Sequence, residues 1–142
     1  MSSQDLFSAC ETEVNDLHNF FVDWMGAKVE RDEKTFRQFT DTLSGNFTLV
    51  SPDGTIMEQD ALVPGLEASY GSRPVFKIWI KDCKCRSVSD DQCLITYEEW
   101  QDIGGVGSSR ISTALFARRA DTPNGVEWLH VHETWLPGNE PK

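Results

Sequence analysis

An α+β fold, helices first and a curved antiparallel sheet after them, is what this sequence predicts, and three observations predict it. Apolar residues recur every three or four positions through the first thirty residues. Beyond Pro74 the spacing changes to the alternation of strands, rich in β-branched and aromatic residues. The two patterns follow one another and do not interleave, which excludes the βαβ repeat of a parallel sheet.

Leu6, Cys10, Val14, Leu17, Phe21 and Trp24, widened by Phe20 and Met25, make one apolar stripe. They predict an amphipathic helix over about residues 4–28, with Gly26 near its fraying end and His18 beside the stripe, at the edge of the core or exposed. Asp32 is a candidate N-cap for a second helix with Phe36, Phe39 and Leu43 on its apolar side. Phe47–Val50 reads as a short strand, Ser51-Pro52-Asp53-Gly54 as a turn, and 55–57 as a strand that pairs back. Residues 60–70 read as a broken helix around Pro64. Four long strands follow, over about 75–86, 93–102, 111–119 and 128–136. They are joined by turns at Asp90-Asp91, Gly104–Gly107 and Asp121–Gly125. The tail from Pro137 is expected to be loose.

At 142 residues the chain is read as one domain over 1–142 with a folded core at about 6–137. Its net charge of −10 argues against phosphate backbones and anionic membrane surfaces. No apolar run approaches the roughly 20 residues that span a bilayer. The first residues lack the basic region and apolar core of a signal peptide. The expectation is a cytoplasmic protein with four reduced cysteines.

Arg118-Arg119, a short turn, then Trp128 and Val131-His132 resemble the last hairpin of the association domain of calcium/calmodulin-dependent protein kinase II. Phe47 through Gly54 resembles the first strand and turn of the same superfamily, the nuclear transport factor 2-like proteins, in their SnoaL-like branch. The resemblance runs over about residues 6–137. It implies a cone-shaped, cystatin-like fold in which the sheet wraps a long helix and leaves a cavity. It also implies a range of roles, from isomerases, dehydratases, cyclases and epoxide hydrolases to non-enzymatic oligomer hubs, so the fold alone names none.

The resemblance further implies that Leu129, Val131, Glu133 and Trp135 face the cavity. Trp128, His130, His132 and Thr134 then lie on the convex face and contact a second copy. On the strand from Cys93 the corresponding inward set is Thr96, Glu98 and Trp100, with Arg110 turned inward beside them. Glu98 and Glu133 are the candidate acid–base groups, because a carboxylate in an apolar cleft has its pKa raised by desolvation. His132 is the alternative should the register differ by one. Trp100, Arg110, Val131 and Trp135 are the expected pocket residues. Tyr97, which a ketosteroid-isomerase-like site would need, is expected on the outer face. Neither the His130/His132 pair nor Cys83 and Cys85 has the partners of a metal site, so no metal and no cofactor is expected. The expectation is a small-molecule-binding protein that acts on an apolar organic ligand by isomerisation, cyclisation or hydrolysis. The alternative is a non-catalytic dimerisation or oligomerisation module. Either way the protein is read as a homodimer.

Overall fold

The computed structural model describes residues 2–141. Helix α1 spans Ser3–Met25, α2 spans Glu33–Thr40 and α3 spans Gln59–Ala68. The strands are β1 (Leu43–Val50), β2 (Ile56–Glu58), β3 (Phe76–Val88), β4 (Gln92–Ile103), β5 (Val106–Arg118) and β6 (Val126–Trp135). They form one sheet in the order β2-β1-β6-β5-β4-β3. β6 is therefore interior: it pairs antiparallel with β5 and parallel with β1.

Local chemistry sets the helix ends. Ser2 and Asp5 cap α1 reciprocally, each side chain accepting from the other's backbone N–H. α1 ends at Gly26, where a Cβ would stand 2.8 Å from the Val22 carbonyl, so no larger residue fits that close approach. Asp32 caps α2 by accepting from the Thr35 N–H at 2.8 Å. Leu43, expected on α2, instead opens β1, because the helix stops at Thr40. The turn before β5 is shorter than expected. Gly104 and Gly105, at φ +58° and +95°, close it alone, and β5 starts at Val106. The tail is tied down further than expected: Leu136 N–H donates to the Ser109 carbonyl and Ser109 N–H to the Asn139 carbonyl.

Bulges bend the sheet. β3 is irregular between Lys81 and Lys84, with Asp82 at φ +52°. β1 shifts register against β6 between Leu43 and Thr48. β5 pairs Leu115 with His130 and Phe116 with Trp128, which leaves Leu129 as an extra residue on β6. The concave face packs on α1 through Leu6, Cys10, Val14, Leu17, Phe20 and Trp24. Trp24, Phe36 and Tyr70 close one end with ring centroids 4.9 Å apart.

The bulge at Leu129 corrects the expected position of Trp128. An extra residue reverses the inward–outward alternation on either side of it, so Trp128 shares the concave face with Val131 and Glu133. Trp128 is 1% exposed, packs at a tilt against Phe116 with ring centroids 4.3 Å apart and donates its indole N–H to Glu13 at 2.8 Å. It is a core residue and not a convex-face anchor.

Candidate functional site

A cavity of about 260 Å³ opens between the concave face and the helices. Its walls are apolar: Leu17, Phe21 and Met25 of α1, Phe39, Leu43, Phe47 and Leu62, then Phe76, Trp128 and Val131. Polar groups converge at one side: His18, Arg73, Tyr97, Glu99, Gln101, Arg110 and Glu133. An apolar enclosure with a few convergent polar groups is the usual character of a ligand site.

His18 and Glu99 form its buried centre. His18 Nδ1 lies 2.7 Å from the Val14 carbonyl, which only accepts, so Nδ1 carries a proton. Nε2 lies 2.9 Å from Glu99 Oε1, so one more proton is held between imidazole and carboxylate. Gln101 also donates to Glu99. Burial opposes the charge on both groups. The mutual attraction prevails, raising the His18 pKa above its ordinary 6.5 and holding Glu99 down at about 2. Both shifts favour the imidazolium–carboxylate form of the pair.

Glu133 is set differently. It accepts from Arg110 Nη1 and from Ser112 Oγ, each at 3.3 Å. Burial, and then the negative charge of Glu99, raise its pKa, and Arg110 only partly offsets them. Glu133 is thus the carboxylate displaced toward the range where a general base works. Arg110 pairs across the sheet with Glu99 on one side and Trp135 on the other. Its guanidinium sits 4.7 Å from the Trp135 ring centre, and its buried Nε has no hydrogen-bond partner among the described residues. Arg73 lies over the Phe76 ring at 4.9 Å. Among the described residues it has no carboxylate within ion-pair distance.

Of the residues singled out in the sequence, the cavity brings together Arg110, Val131 and Glu133. It leaves out Glu98, Trp100, His132 and Trp135. β4 runs one residue out of the expected parity: Cys93, Ile95, Tyr97, Glu99 and Gln101 face inward. Glu98 and Trp100 lie on the convex side, where the Trp100 indole donates to Glu98 at 2.9 Å and Lys81 covers the ring. Both faces of β4 alternate aromatic and acidic residues, Tyr97-Glu99 against Glu98-Trp100, so composition did not distinguish them. Tyr97, expected outside, is fully buried at the cavity. Trp135, directly opposite Arg110 in the sheet, packs against its guanidinium and does not line the space. His132 is exposed, and His130 pairs with Thr48 Oγ1 at 2.6 Å. His18, Glu99 and Arg73 were missed. For His18 a signal existed: a histidine one position from Leu17 on a helix's apolar face lies within reach of the core. No group of three metal-ligating side chains occurs among the described residues.

A curved sheet wrapped around a long helix, open at a cavity of this kind, is the nuclear transport factor 2-like, cystatin-like fold. Solved structures agree on the fold. A nuclear transport factor 2-like protein of unknown function from Pseudomonas aeruginosa matches with a TM-score of 0.82 at 23% identity, over 90% of this chain and 98% of that one. The calcium/calmodulin-dependent protein kinase II hub of S. rosetta matches at 0.65 with 10% identity, over 96% and 98% of the two chains. Within that fold the chain belongs to the family described as sucrose-6-phosphate phosphohydrolase C-terminal, whose profile matches residues 11–137. Sucrose-phosphatase 1 of Nicotiana tabacum is 26% identical over 129 residues, 89% of this chain and 30% of that protein. Probable sucrose-phosphatase 3a of Arabidopsis thaliana is 23% identical over 126 residues, 87% and 29%. The chain thus spans about 30% of the length of these curated relatives. No helix among the described residues is long and apolar enough to cross a membrane.

Proposed function

We propose that this chain is a SnoaL-like small-molecule-binding domain, one unit over residues 1–142, whose cavity takes an amphipathic organic acid. The observation that carries this reading is the pair Arg73 and Arg110 among the polar groups of a cavity whose remaining walls are apolar. Arg73 has no carboxylate partner among the described residues, and Arg110 has an unmatched Nε. A carboxylate on the ligand would satisfy both, and an aliphatic or aromatic body would fill the space against Phe47, Phe76 and Trp128. Glu133 and the His18–Glu99 pair then stand where a proton could be taken from and returned to the ligand, as isomerisation, cyclisation or hydrolysis requires. A sugar phosphate, the substrate named by the family, suits the arginines but not these walls. On this reading, phosphate hydrolysis in the sucrose-phosphatase relatives belongs to the 70% of their length that this chain does not match.

The test is a melting-temperature screen of aliphatic and aromatic carboxylates, their neutral amides, and sucrose 6-phosphate. Carboxylates are expected to raise the melting temperature, because a ligand present at 100 times its Kd adds about 2.7 kcal/mol to the folded state. Arg73→Ala should abolish the rise. Equal stabilisation by the amides, or by none of the compounds, would sink the reading.

A second reading, pairing of two copies, has its own support. Trp79 and Ile111 on the convex face are 42% and 37% exposed, on either side of Trp100 and Glu98, and Lys81 lies opposite Glu98 in the sheet. We infer a cytoplasmic homodimer joined through that face. Sedimentation should give a dimer at micromolar concentration and a monomer for Trp79→Glu. A wild type that sediments only as monomer overturns it.

A further inference from the structure

The two carboxylates of the cavity are held with unequal strength. Glu99 meets His18 at 2.9 Å and also accepts from Gln101. Glu133 makes longer contacts, accepting from Arg110 Nη1 and Ser112 Oγ at 3.3 Å each. Its side chain is nevertheless only 10% exposed, so little water reaches it. Arg110 is not used up by this contact: its buried Nε has no hydrogen-bond partner among the described residues. Arg73 lines the same cavity, and burial, then the charge of Arg110, lower its pKa from the ordinary 12.5. That is the behaviour of a cation short of negative neighbours.

Glu133 has titratable or charged neighbours on every element around it. β5 brings Arg110 and Ser112, β4 brings Tyr97 and Glu99, α1 brings His18, and Arg73 stands ahead of β3. The Tyr97 phenol is pushed well above its ordinary 10 and stays neutral. A ligand carboxylate set between Arg73 and the spare donors of Arg110 places a second negative charge beside Glu133. Two carboxylates that share one guanidinium inside apolar walls tend to keep a proton between them. Glu133 is the one to hold it, because burial and Glu99 already oppose its charge while the ligand has Arg73 as well. Ser112 Oγ accepts as readily as it donates, so its hydrogen bond to Glu133 survives protonation.

We propose that the cavity takes a monocarboxylate together with a proton from solvent, held on Glu133 while the ligand shares Arg110 with it. The inference rests on the reading of the cavity as an organic-acid site and adds what that site demands of its ligand. Anion and proton enter as an electrically neutral pair, which lessens the cost of taking charge out of water. A second carboxylate on the ligand would lie against Phe47, Phe76 and Trp128 and pay that cost in full. An apolar cavity of about 150 Å³ takes benzene, so one of about 260 Å³ has room for hydrocinnamate, a benzene ring on a propanoate. The proton is taken up above the pKa of Glu133 in the empty site, itself raised from 4.5, and below its higher value in the complex. His18 is raised above 6.5, so between 4.5 and 6.5 it is already charged and takes up little.

The experiment titrates hydrocinnamate and hexanoate into the chain calorimetrically, from pH 4.5 upward, in buffers of differing ionisation enthalpy. With the ionisation of the free acid allowed for, affinity should fall by up to about tenfold per pH unit, and each binding event should draw in up to about one proton. Glu133→Gln, which keeps the side chain neutral, should bind at least as tightly as wild type at pH 6.5, with no proton uptake. Adipate, as long as hexanoate but with a second carboxylate, should bind at least about tenfold more weakly. Affinity independent of pH with no uptake, uptake that persists in Glu133→Gln, or adipate equal to hexanoate would overturn the proposal and leave the organic-acid reading standing. Binding of neither acid at any pH, or equal binding of hexanamide, would remove that reading and the proposal with it. The wild-type proton count decides the matter even where Glu133→Gln does not fold.

Discussion

Trp128→Ala is expected to lose about 3–5 kcal/mol of stability, the range for a large aromatic taken from a close-packed core. The tryptophan ring meets Phe116 and its indole reaches Glu13 on α1, while its backbone N–H donates to the Thr42 carbonyl just ahead of β1. Glu13 is buried and its pKa is raised by that burial, with the Trp128 and Asn124 hydrogen bonds acting the other way. Deleting the indole therefore leaves a void and removes a hydrogen bond from a buried carboxylate, which adds its own penalty. Trp135→Ala should cost much less, because Trp135 is partly exposed and only covers Arg110. Denaturant melts of the two variants check this; equal midpoints would show that Trp128 does not hold helix to sheet as the contacts require. Neither change should dissociate a dimer held by Trp79 and Ile111.

Glu99→Gln should be the next most damaging change, and it should alter the pH dependence of stability as well as its level. Removing one partner of a buried pair costs about 3–5 kcal/mol; glutamine still accepts one hydrogen bond from His18, which places this variant toward the low end. The signs in wild type follow from the shifts. His18 is raised above 6.5, so its contribution is whole below 6.5 and is lost as pH climbs through the raised value. Glu99 is held near 2, so its contribution is whole above 4.5 and is lost as pH falls toward 2. Glu133 is raised, so ionising it costs stability as pH rises beyond 4.5. Stability should therefore peak between 4.5 and 6.5 and decline on the alkaline side. In Glu99→Gln, burial acts on His18 without its counter-charge, and Glu133 loses a repelling neighbour. The decline above 6.5 should flatten or reverse. Calorimetric melting temperatures across that range decide the matter; an unchanged slope would mean that His18 and Glu99 do not share a proton.

The first two helices and the succession of long strands along the chain were legible because each rests on local chemistry, whereas α3 runs unbroken through Pro64 where a broken helix was expected. Apolar spacing marks α1, Asp32 caps α2, and paired turn residues separate the long strands. That Glu133 and Val131 face the cavity also followed from alternation along β6, given the superfamily's register. Alternation failed where a residue was inserted. Sequence does not mark Leu129 as surplus, because the bulge exists only where β6 fails to match β5, and Trp128 consequently turned inward. On β4 both faces carried aromatic and acidic residues, and only packing against α1 selected Tyr97 and Glu99 over Glu98 and Trp100.

The site shows the same division. Local patterning accounts for an α+β chain with a long amphipathic helix followed by long strands, and the resemblance supplied the inward register of Glu133. Tertiary structure alone decided that His18 meets Glu99, 81 positions away, and that Arg73 and Arg110 share a cavity. Hydrophobic periodicity is a property of neighbours along the chain and survives in the sequence. A polar contact between distant elements depends on bulges, register and sheet curvature, which arise only when the strands pair and the helix packs against them.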